Sequence, residues 1–349
     1  MDENNKQIPA FIIKADGRRL SPEQDGAVLS ISVDDCLDGL SRFRIVFDGA
    51  ALEGGCPIEP GSEVAIWLGY ENGEAEVFTG DALELCTRLT GSGGGHIELG
   101  GCSVLHRLGH SSRRRSLEGK KPSEAVKALL QGYSLEAEME DFGDDETYRA
   151  EEGASDYDYL MKQAAAYGKH VYASGRKVYI KDEITVHADE IVYEWGKSLL
   201  SIDLHENHEG LISGVAFLGW DSQKNQTFAG QAEFTDLPVK VGGGAGWSAE
   251  HTGGMAAVDV ADYSGGGGIE DARDRAIGYL QRRSFELGQA SGKAEGDNRL
   301  KPGMRVSIKM VREPFEGEYM AYSVQHRFDR NGGYTTAFEL MRNTSGKAR

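Results

Sequence analysis

Apolar side chains at every second position, in short runs separated by glycine, constrain this chain more than any other feature. Pro9–Ala15, Val28–Asp34, Arg42–Asp48, Glu63–Tyr70, Glu74–Cys86 and His96–Leu105 each alternate in this way. Each run reads as a strand with one face in a core. Asp16-Gly17, Glu71-Asn72-Gly73 and the glycine run at 91–95 supply the turns. Glycine occupies 47 of 349 positions and proline only 8, against ordinary shares of roughly 7% and 5%. Many short strands with tight turns are the pattern of a closed or nearly closed antiparallel barrel.

The pattern changes after His110. Ser111–Lys121 is polar and basic, and Pro122-Ser123-Glu124 then opens a helix whose stripe is Ala125, Val126, Leu129 and Leu130 and whose stop is Gly132. Ser155-Asp156-Tyr157-Asp158 has the form of a capping box. The helix it starts carries Leu160, Met161, Ala164 and Tyr167 on one side and stops at Gly168. A hairpin, His170–Ser174 and Lys177–Lys181, turns at Gly175-Arg176. Strands resume near Ile191 and run through Leu199–His205 and Leu211–Trp220. Ten glycines between residues 241 and 268 predict a long loop, and Ile269–Arg283 a helix. Ser284–Ala290, Arg305–Val311, Glu318–Phe328 and Tyr334–Met341 read as closing strands.

The expected fold is therefore mainly β with α/β insertions: two related antiparallel β-barrel domains plus a small α/β domain. The expected boundaries are a first barrel over 1–110, an α/β domain over 111–190 with helices near 122–131 and 155–167, and a second barrel over 191–349. A Gly-rich loop and helix near 221–283 interrupt the second barrel.

Charge narrows the function. With 38 Lys+Arg against 56 Asp+Glu the net charge is −18, unlike the broad basic excess of a nucleic-acid binder. Arg113-Arg114-Arg115, with Arg107, Lys120 and Lys121, reads as a charged linker or subunit-contact loop. No run approaches the ~20 apolar residues of a membrane span. Met1–Gln7 lacks the apolar core of a signal peptide, so a chain made and kept in the cytoplasm is expected. Cys36, Cys56, Cys86 and Cys102 contain no C-x-x-C pair and read as reduced thiols, with a Cys86–Cys102 pairing left open.

Motifs for chemistry fail on their spacing. Gly196-Lys197-Ser198 has Ile191 where a phosphate loop needs glycine, and Ser291-Gly292-Lys293 is followed by Ala294 where a hydroxyl belongs. Gly246-Trp247-Ser248-Ala249-Glu250 ends in glutamate where a nucleophile elbow needs glycine. In His205-Glu206-Asn207-His208-Glu209 the second ligand position of a zinc helix is Glu209. His106 and His110 are four apart without a third ligand nearby. The acids of Glu136–Glu152 single out no pair for glycan hydrolysis. No catalytic residue, metal or cofactor is expected.

Three ordered segments carry a resemblance. Ser155–Tyr167 with Gly168 (SDYDYLMKQAAAYG) is similar to a Ser-Asp-aromatic-Asp-aromatic-Leu helix that ends in glycine before a hairpin. The tail runs from Leu300-Lys301-Pro302-Gly303 through Phe315-x-Gly317-x-Tyr319, Val324-x-His326-x-Phe328 and Gly333-Tyr334-x-Thr336-x-Phe338. With the order barrel, α/β unit, interrupted barrel, these segments resemble the late control D family. Its members are the central hubs of contractile phage tails, similar to the N-terminal half of the valine-glycine-repeat (VgrG) spike of type VI secretion.

The resemblance implies a structural baseplate hub. It implies a homotrimer whose two barrels per chain form a ring of six, matching a six-fold tail tube to a three-fold spike and lining the central channel with a polar or acidic wall. The partners it implies are the tail tube or a tube initiator, baseplate wedge proteins and a trimeric spike. The spike is expected as a separate chain, because this sequence stops at Arg349 shortly after the second barrel. The candidate interface residues are Arg113, Arg114 and Arg115, Ser155, Asp156, Tyr157, Asp158 and Tyr159 at the helix start, and Tyr319, His326 and Tyr334 in the closing strands. Plain barrel packing competes for Tyr319, Phe328 and Phe338. The rival functions are a tail-associated glycan hydrolase and a glycan-binding module.

Overall fold

The computed structural model describes residues 8–52, 54–89, 95–110, 115–116, 120–144, 150–151, 154–184, 190–209, 211–221, 224–243, 258–263 and 268–345. The alternating runs at the start become β1 (Pro9–Ala15), β2 (Arg18–Arg19), β3 (Val28–Cys36), β4 (Arg42–Asp48), β5 (Glu63–Tyr70), β6 (Ala75–Leu89) and β7 (Gly95–Cys102). They pair antiparallel in the order β3-β4-β7-β6-β5-β1-β2. Because successive side chains point to opposite faces, Ile31, Val33, Phe43, Ile45, Phe47, Val64, Ile66, Leu68 and Leu99 all fall on one side and form one core.

Two short helices lie where the sequence reading has none or has strand. α1 (Pro22–Ala27) is set by Ser21, whose Oγ accepts from the Gln24 amide at 3.3 Å while Gln24 Oε1 accepts from the Ser21 amide at 2.8 Å. The strand expected to reach Leu105 stops at Cys102, and Val104–His110 is a 3-10 helix. Its apolar Val104, Leu105 and Leu108 are spent on the next core.

That next core is built by α2 (Pro122–Gly132), β9 (Glu136–Met139), α3 (Asp156–Ala166), β11 (His170–Ser174) and β12 (Lys177–Lys181), and the chain between also forms the short pair β8 (Arg115–Ser116) and β10 (Ala150–Glu151). β11 and β12 form the expected hairpin, and β9 joins it parallel to β12. The two helices bury Val126, Leu130, Leu160 and Ala164 against Val171, Val178 and Ile180. Their spans follow the expected ones to within a residue, with Ser155 and Tyr167 as the caps of α3.

The remaining elements are β13 (Ile191–Glu194), β14 (Leu199–Glu206), β15 (Gly214–Asp221), β16 (Gln226–Glu233), β17 (Val258–Asp262), α4 (Ile269–Ser284), β18 (Gly288–Glu295), β19 (Arg305–Lys309), β20 (Gly317–Asp329) and β21 (Gly333–Arg342). Six of them line a second core in the order β14-β18-β21-β20-β19-β13, in which Tyr193 stacks on Phe338 at 5.1 Å. β13 runs parallel to β19, so this half is not wholly antiparallel.

Three expectations are corrected here. The strand read at Leu211–Trp220 leaves the main sheet, and β15 pairs with β16 and, parallel, with β17 in a sheet of its own, covered by α4. Of the Gly-rich 241–268 segment, Val258–Asp262 is strand and not loop; residues 244–257 and 264–267 lie outside the described residues. The strand read at Ser284–Ala290 starts later, at Gly288, because α4 extends through Ser284 and the apolar Phe285 and Leu287 pack behind its end.

The two halves are one sheet. β20 is thirteen residues long; its N-terminal part pairs with β19, and Ser323–Asp329 pairs antiparallel with Cys36–Ser30 of β3. This joins both ladders into a thirteen-stranded sheet. The end of β20 and the start of β21 also enter the first core, where Phe328 meets Phe11 edge-on at 4.9 Å and Tyr334 meets Tyr70 at 5.9 Å.

Candidate functional site

Among the candidate interface residues, Arg113 and Arg114 lie outside the described residues, and Arg115 is described as backbone opposite Glu151 in the β8–β10 pair. Ser155 is the N-cap of α3: its Oγ accepts from the Asp158 amide at 3.1 Å, and Asp158 Oδ2 accepts from the Ser155 amide at 3.1 Å. Asp158 points to solvent, with its carboxyl held below the ordinary range by the Ser155 hydroxyl. Asp156 is buried and accepts from Tyr133 Oη at 2.8 Å. Tyr159 is buried in the α/β core and Tyr157 is half-buried, its hydroxyl pushed up first by burial and then by the nearby Cys36 and Asp38.

The three closing-strand candidates have no outward face in the chain: Tyr319 and His326 are 1% exposed and Tyr334 4%. Tyr319 donates to the Phe315 carbonyl at 2.8 Å beneath the Arg342 guanidinium, 4.8 Å from its ring. His326 Nε2 donates to the Leu300 carbonyl at 3.1 Å, so the Tyr334 hydroxyl donates to His326 Nδ1 at 2.9 Å. Burial lowers the His326 pKa to about 4, which keeps the ring neutral, and the Leu300 carbonyl fixes this tautomer. These side chains hold β20 and β21 in register. Sequence spacing marked them, but not that they point inward.

Buried carboxylates, which the sequence reading did not single out, tie the units together. At the end of β3, Asp35 accepts from Ser41 Oγ at 2.5 Å and from Tyr172 Oη of β11 at 2.8 Å. Asp38 follows, with His170 Nδ1 2.8 Å from its Oδ2 and the Val171 amide donating at 2.9 Å. Beside the first core, Asp81 takes Arg107 at 2.7 Å through two nitrogens and His106 at 2.7 Å. Asp271 of α4 accepts from Tyr167 Oη at 2.6 Å, Tyr263 Oη at 2.5 Å and Arg275 Nε at 2.9 Å. Asn343 Nδ2 donates to the Val239 carbonyl and its Oδ1 accepts from the Val241 amide, both at 2.8 Å.

Asp35 yields a pH prediction. Burial pushes its pKa up to about 6 against the opposing Ser41 and Tyr172 hydrogen bonds. A carboxyl whose pKa is raised on folding binds its proton more tightly in the folded chain. Its cost is absent near pH 4, grows as pH rises and is complete above about 6. Asp35→Asn, which still accepts from Tyr172 and can donate to Ser41, is expected to gain stability relative to the parent chain by up to about 3 kcal/mol between pH 4 and pH 7.5. Urea unfolding at the two pH values checks this, and a difference that does not change with pH would contradict it.

The broad outward surface is the open face of the thirteen-stranded sheet. One row of register partners crosses it as Ser201, Lys293, Ala337, Gln325, Asp34 and Arg42. Next to it run Asp203, Ser291, Glu339 and Ser323 on one side and Glu295, Thr335, Arg327, Ser32, Arg44, Gly100 and Glu84 on the other. These rows hold no aromatic side chain and no aliphatic one larger than alanine. Their charges are mixed and not uniformly acidic. Over β14, β18, β21 and β20 the face is concave and encloses about 470 Å³.

Among the described residues no His, Cys, Asp and Glu side chains are grouped to hold a metal ion, and no helix is long and apolar enough to cross a membrane. His205 and Glu206 lie on a strand, β14. All four cysteines are free thiols, Cys86 and Cys102 included.

The fold is that of solved phage tail proteins. The chain superposes on a tail protein of Neisseria meningitidis MC58 with a TM-score of 0.70 at 13% identity, covering 96% of this chain and 97% of that one. The 43 kDa tail protein of prophage MuSo2 from Shewanella oneidensis gives 0.67 at 13% identity, covering 96% and 98%. An E. coli type VI secretion component, described as structurally similar to the T4 tail proteins gp27 and gp5, gives 0.61 at 10% identity, covering 96% and 78%. No curated protein matches the sequence. The family model described as the Alg8 N-terminal domain matches residues 5–329, and the chain belongs to that family.

Proposed function

We propose that the chain is the structural hub of a contractile tail or injection machine, related to the late control D hubs. In this reading each half of the thirteen-stranded sheet is a barrel, three chains form a ring of six such units, and the ring adapts a six-fold tube to a three-fold spike. Its partners are two further copies of itself, a separate trimeric spike, the tube or tube initiator and the baseplate wedge proteins. It is assembled in the bacterial cytoplasm. It carries no catalytic role, cofactor or stable nucleic-acid site.

The observation that carries the reading is that one continuous sheet serves two separate cores. Seven strands form the ladder at one core and six the ladder at the other, and β20 pairs with β3 to join the two. In this reading the two halves act as two related units at a fixed relation, which would let three copies present six-fold contacts. The rows of polar and small side chains support a channel wall, because they give a passing chain little apolar surface to hold beyond the exposed Leu83 and Tyr322 beside them. The subunit contacts are assigned to the basic run Arg113–Arg115 and the outward side of the α3 start, with Tyr319, His326 and Tyr334 supporting the strands behind the channel face.

Electron microscopy of the purified chain is expected to show rings with three-fold symmetry, six lobes and a central opening. Isolated single-chain particles, or release of sugar from cell-wall glycan by the same preparation, would contradict the reading.

A further inference from the structure

We propose that the cleft between the C-terminal end of α3, the sheet of β15 and β17, and the second half of α4 is a docking site for a partner-protein segment that brings one apolar side chain with a neighbouring carboxylate. The cleft encloses about 410 Å³, at the small end of ligand pockets and suited to one or two side chains. Its apolar wall is Ala165 and Ala166 from α3 with Phe217 and Tyr279, whose rings meet edge-on at 6.0 Å. The Tyr279 hydroxyl is already engaged by Asp259 at 2.8 Å.

The polar wall is cationic: Arg275, Arg282 and Arg283, with Asp262 as the one lining carboxylate. Arg275 is committed to Asp271 and the Tyr167 hydroxyl. Arg282 donates Nη2 to the Lys169 carbonyl at 2.8 Å and stands 3.4 Å from Asp38, but its Nε–H is buried without an acceptor. Arg283 reaches Glu286 at 2.7 Å from a side chain 37% exposed. In a chain of net charge −18, a pocket edged by guanidinium groups selects for an anion. The apolar wall demands that the anion carry an apolar body, and the small volume favours a side chain of a protein segment over a cofactor. The cleft shares no residue with the polar sheet face, so its test stands whether or not the hub reading holds.

The test uses the full chain and anilinonaphthalene sulfonate, an apolar body with one anionic group, followed by fluorescence. One saturable site is expected. The blocked tetrapeptide acetyl-Asp-Phe-Leu-Asp-amide should displace the probe, and dodecylammonium should not. Ala165→Trp, which fills the cleft, and Arg283→Glu, at a more exposed position, should each weaken binding about tenfold or more. Trp220→Ser, on the far face of the β15 sheet, should leave it unchanged. If Ala165→Trp does not fold, Arg283→Glu carries the test. Binding indifferent to Arg283→Glu, or displacement by dodecylammonium as readily as by the peptide, would overturn the proposal. Displacement by dodecanoate but not by the peptide would also overturn it, because the site would then take a small free anion.

Discussion

Gly278→Ala is expected to destabilise the chain by about 3 kcal/mol, although alanine is ordinarily favoured over glycine inside a helix by about 1 kcal/mol. The reversal comes from the crossing of α3 and α4. A Cβ on Gly278 would stand 2.4 Å from the Gly168 amide nitrogen and 2.4 Å from the Tyr167 carbonyl carbon, both backbone atoms that cannot swing aside. Gly168, at φ +69°, ends α3 in the left-handed region, and its own Cβ would stand 2.6 Å from Gly278 Cα. The two backbones touch directly, so a methyl group must push the helices apart. Urea unfolding of the variant checks this, and a stability equal to or above that of the parent would show that the helices do not cross at these glycines.

Asp271→Ala is expected to cost about 3–5 kcal/mol. Its carboxylate is fully buried and is the shared acceptor for Tyr167, Tyr263 and Arg275. Removing it takes a shared carboxylate away from a buried guanidinium and two hydroxyls. Burial alone would push this carboxyl up, but the Tyr167 and Tyr263 hydroxyls and Arg275 outweigh it and hold the carboxyl below its ordinary value. A carboxyl depressed on folding stabilises above its ordinary pKa and loses that contribution as pH falls through the folded value. The parent chain should therefore lose stability on acidification below about pH 4, and Asp271→Ala should lose less over the same range. Chemical unfolding of both chains at pH 7 and pH 3 tests the pair, and a cost below about 1 kcal/mol would remove Asp271 from this role.

Local signals in the sequence were legible and distant ones were not. Alternation at Arg42–Asp48 and Glu63–Tyr70 marked strands because a half-buried strand must alternate. Ser155 and Pro122 marked helix starts because capping is a contact between near neighbours. The Ser21–Gln24 capping box carries the same signal, but the helix it starts is six residues long and too short to show an apolar stripe. The parallel partners of β9, β13 and β17 come from far along the chain and leave no local mark. Val258–Asp262 was hidden because its glycine-rich flanks read as loop. Asp35, Asp38 and Asp271 are ordinary acids in an acidic chain until the fold places a tyrosine, a histidine or an arginine against each. His326 and Tyr334 stood out by spacing, but spacing along a strand gives alternation and not which side is inward.

Those buried pairs bear on the hub reading. A ring that passes cargo has to keep its two β-rich halves and its α/β unit at fixed angles, and in this chain the angles are held by β20 pairing with β3, by Asn298 Nδ2 donating to the Leu68 carbonyl at 2.8 Å, and by the Asp35, Asp38 and Asp271 clusters. In the hub reading this frame leaves the polar rows of the sheet to serve as a wall.

The solution mass of the purified chain, measured by light scattering across a concentration series, tests the central claim most directly. One chain weighs 37.9 kDa, and the hub reading predicts a species of three times that mass that persists on dilution. A mass that stays at 37.9 kDa throughout the series would contradict it.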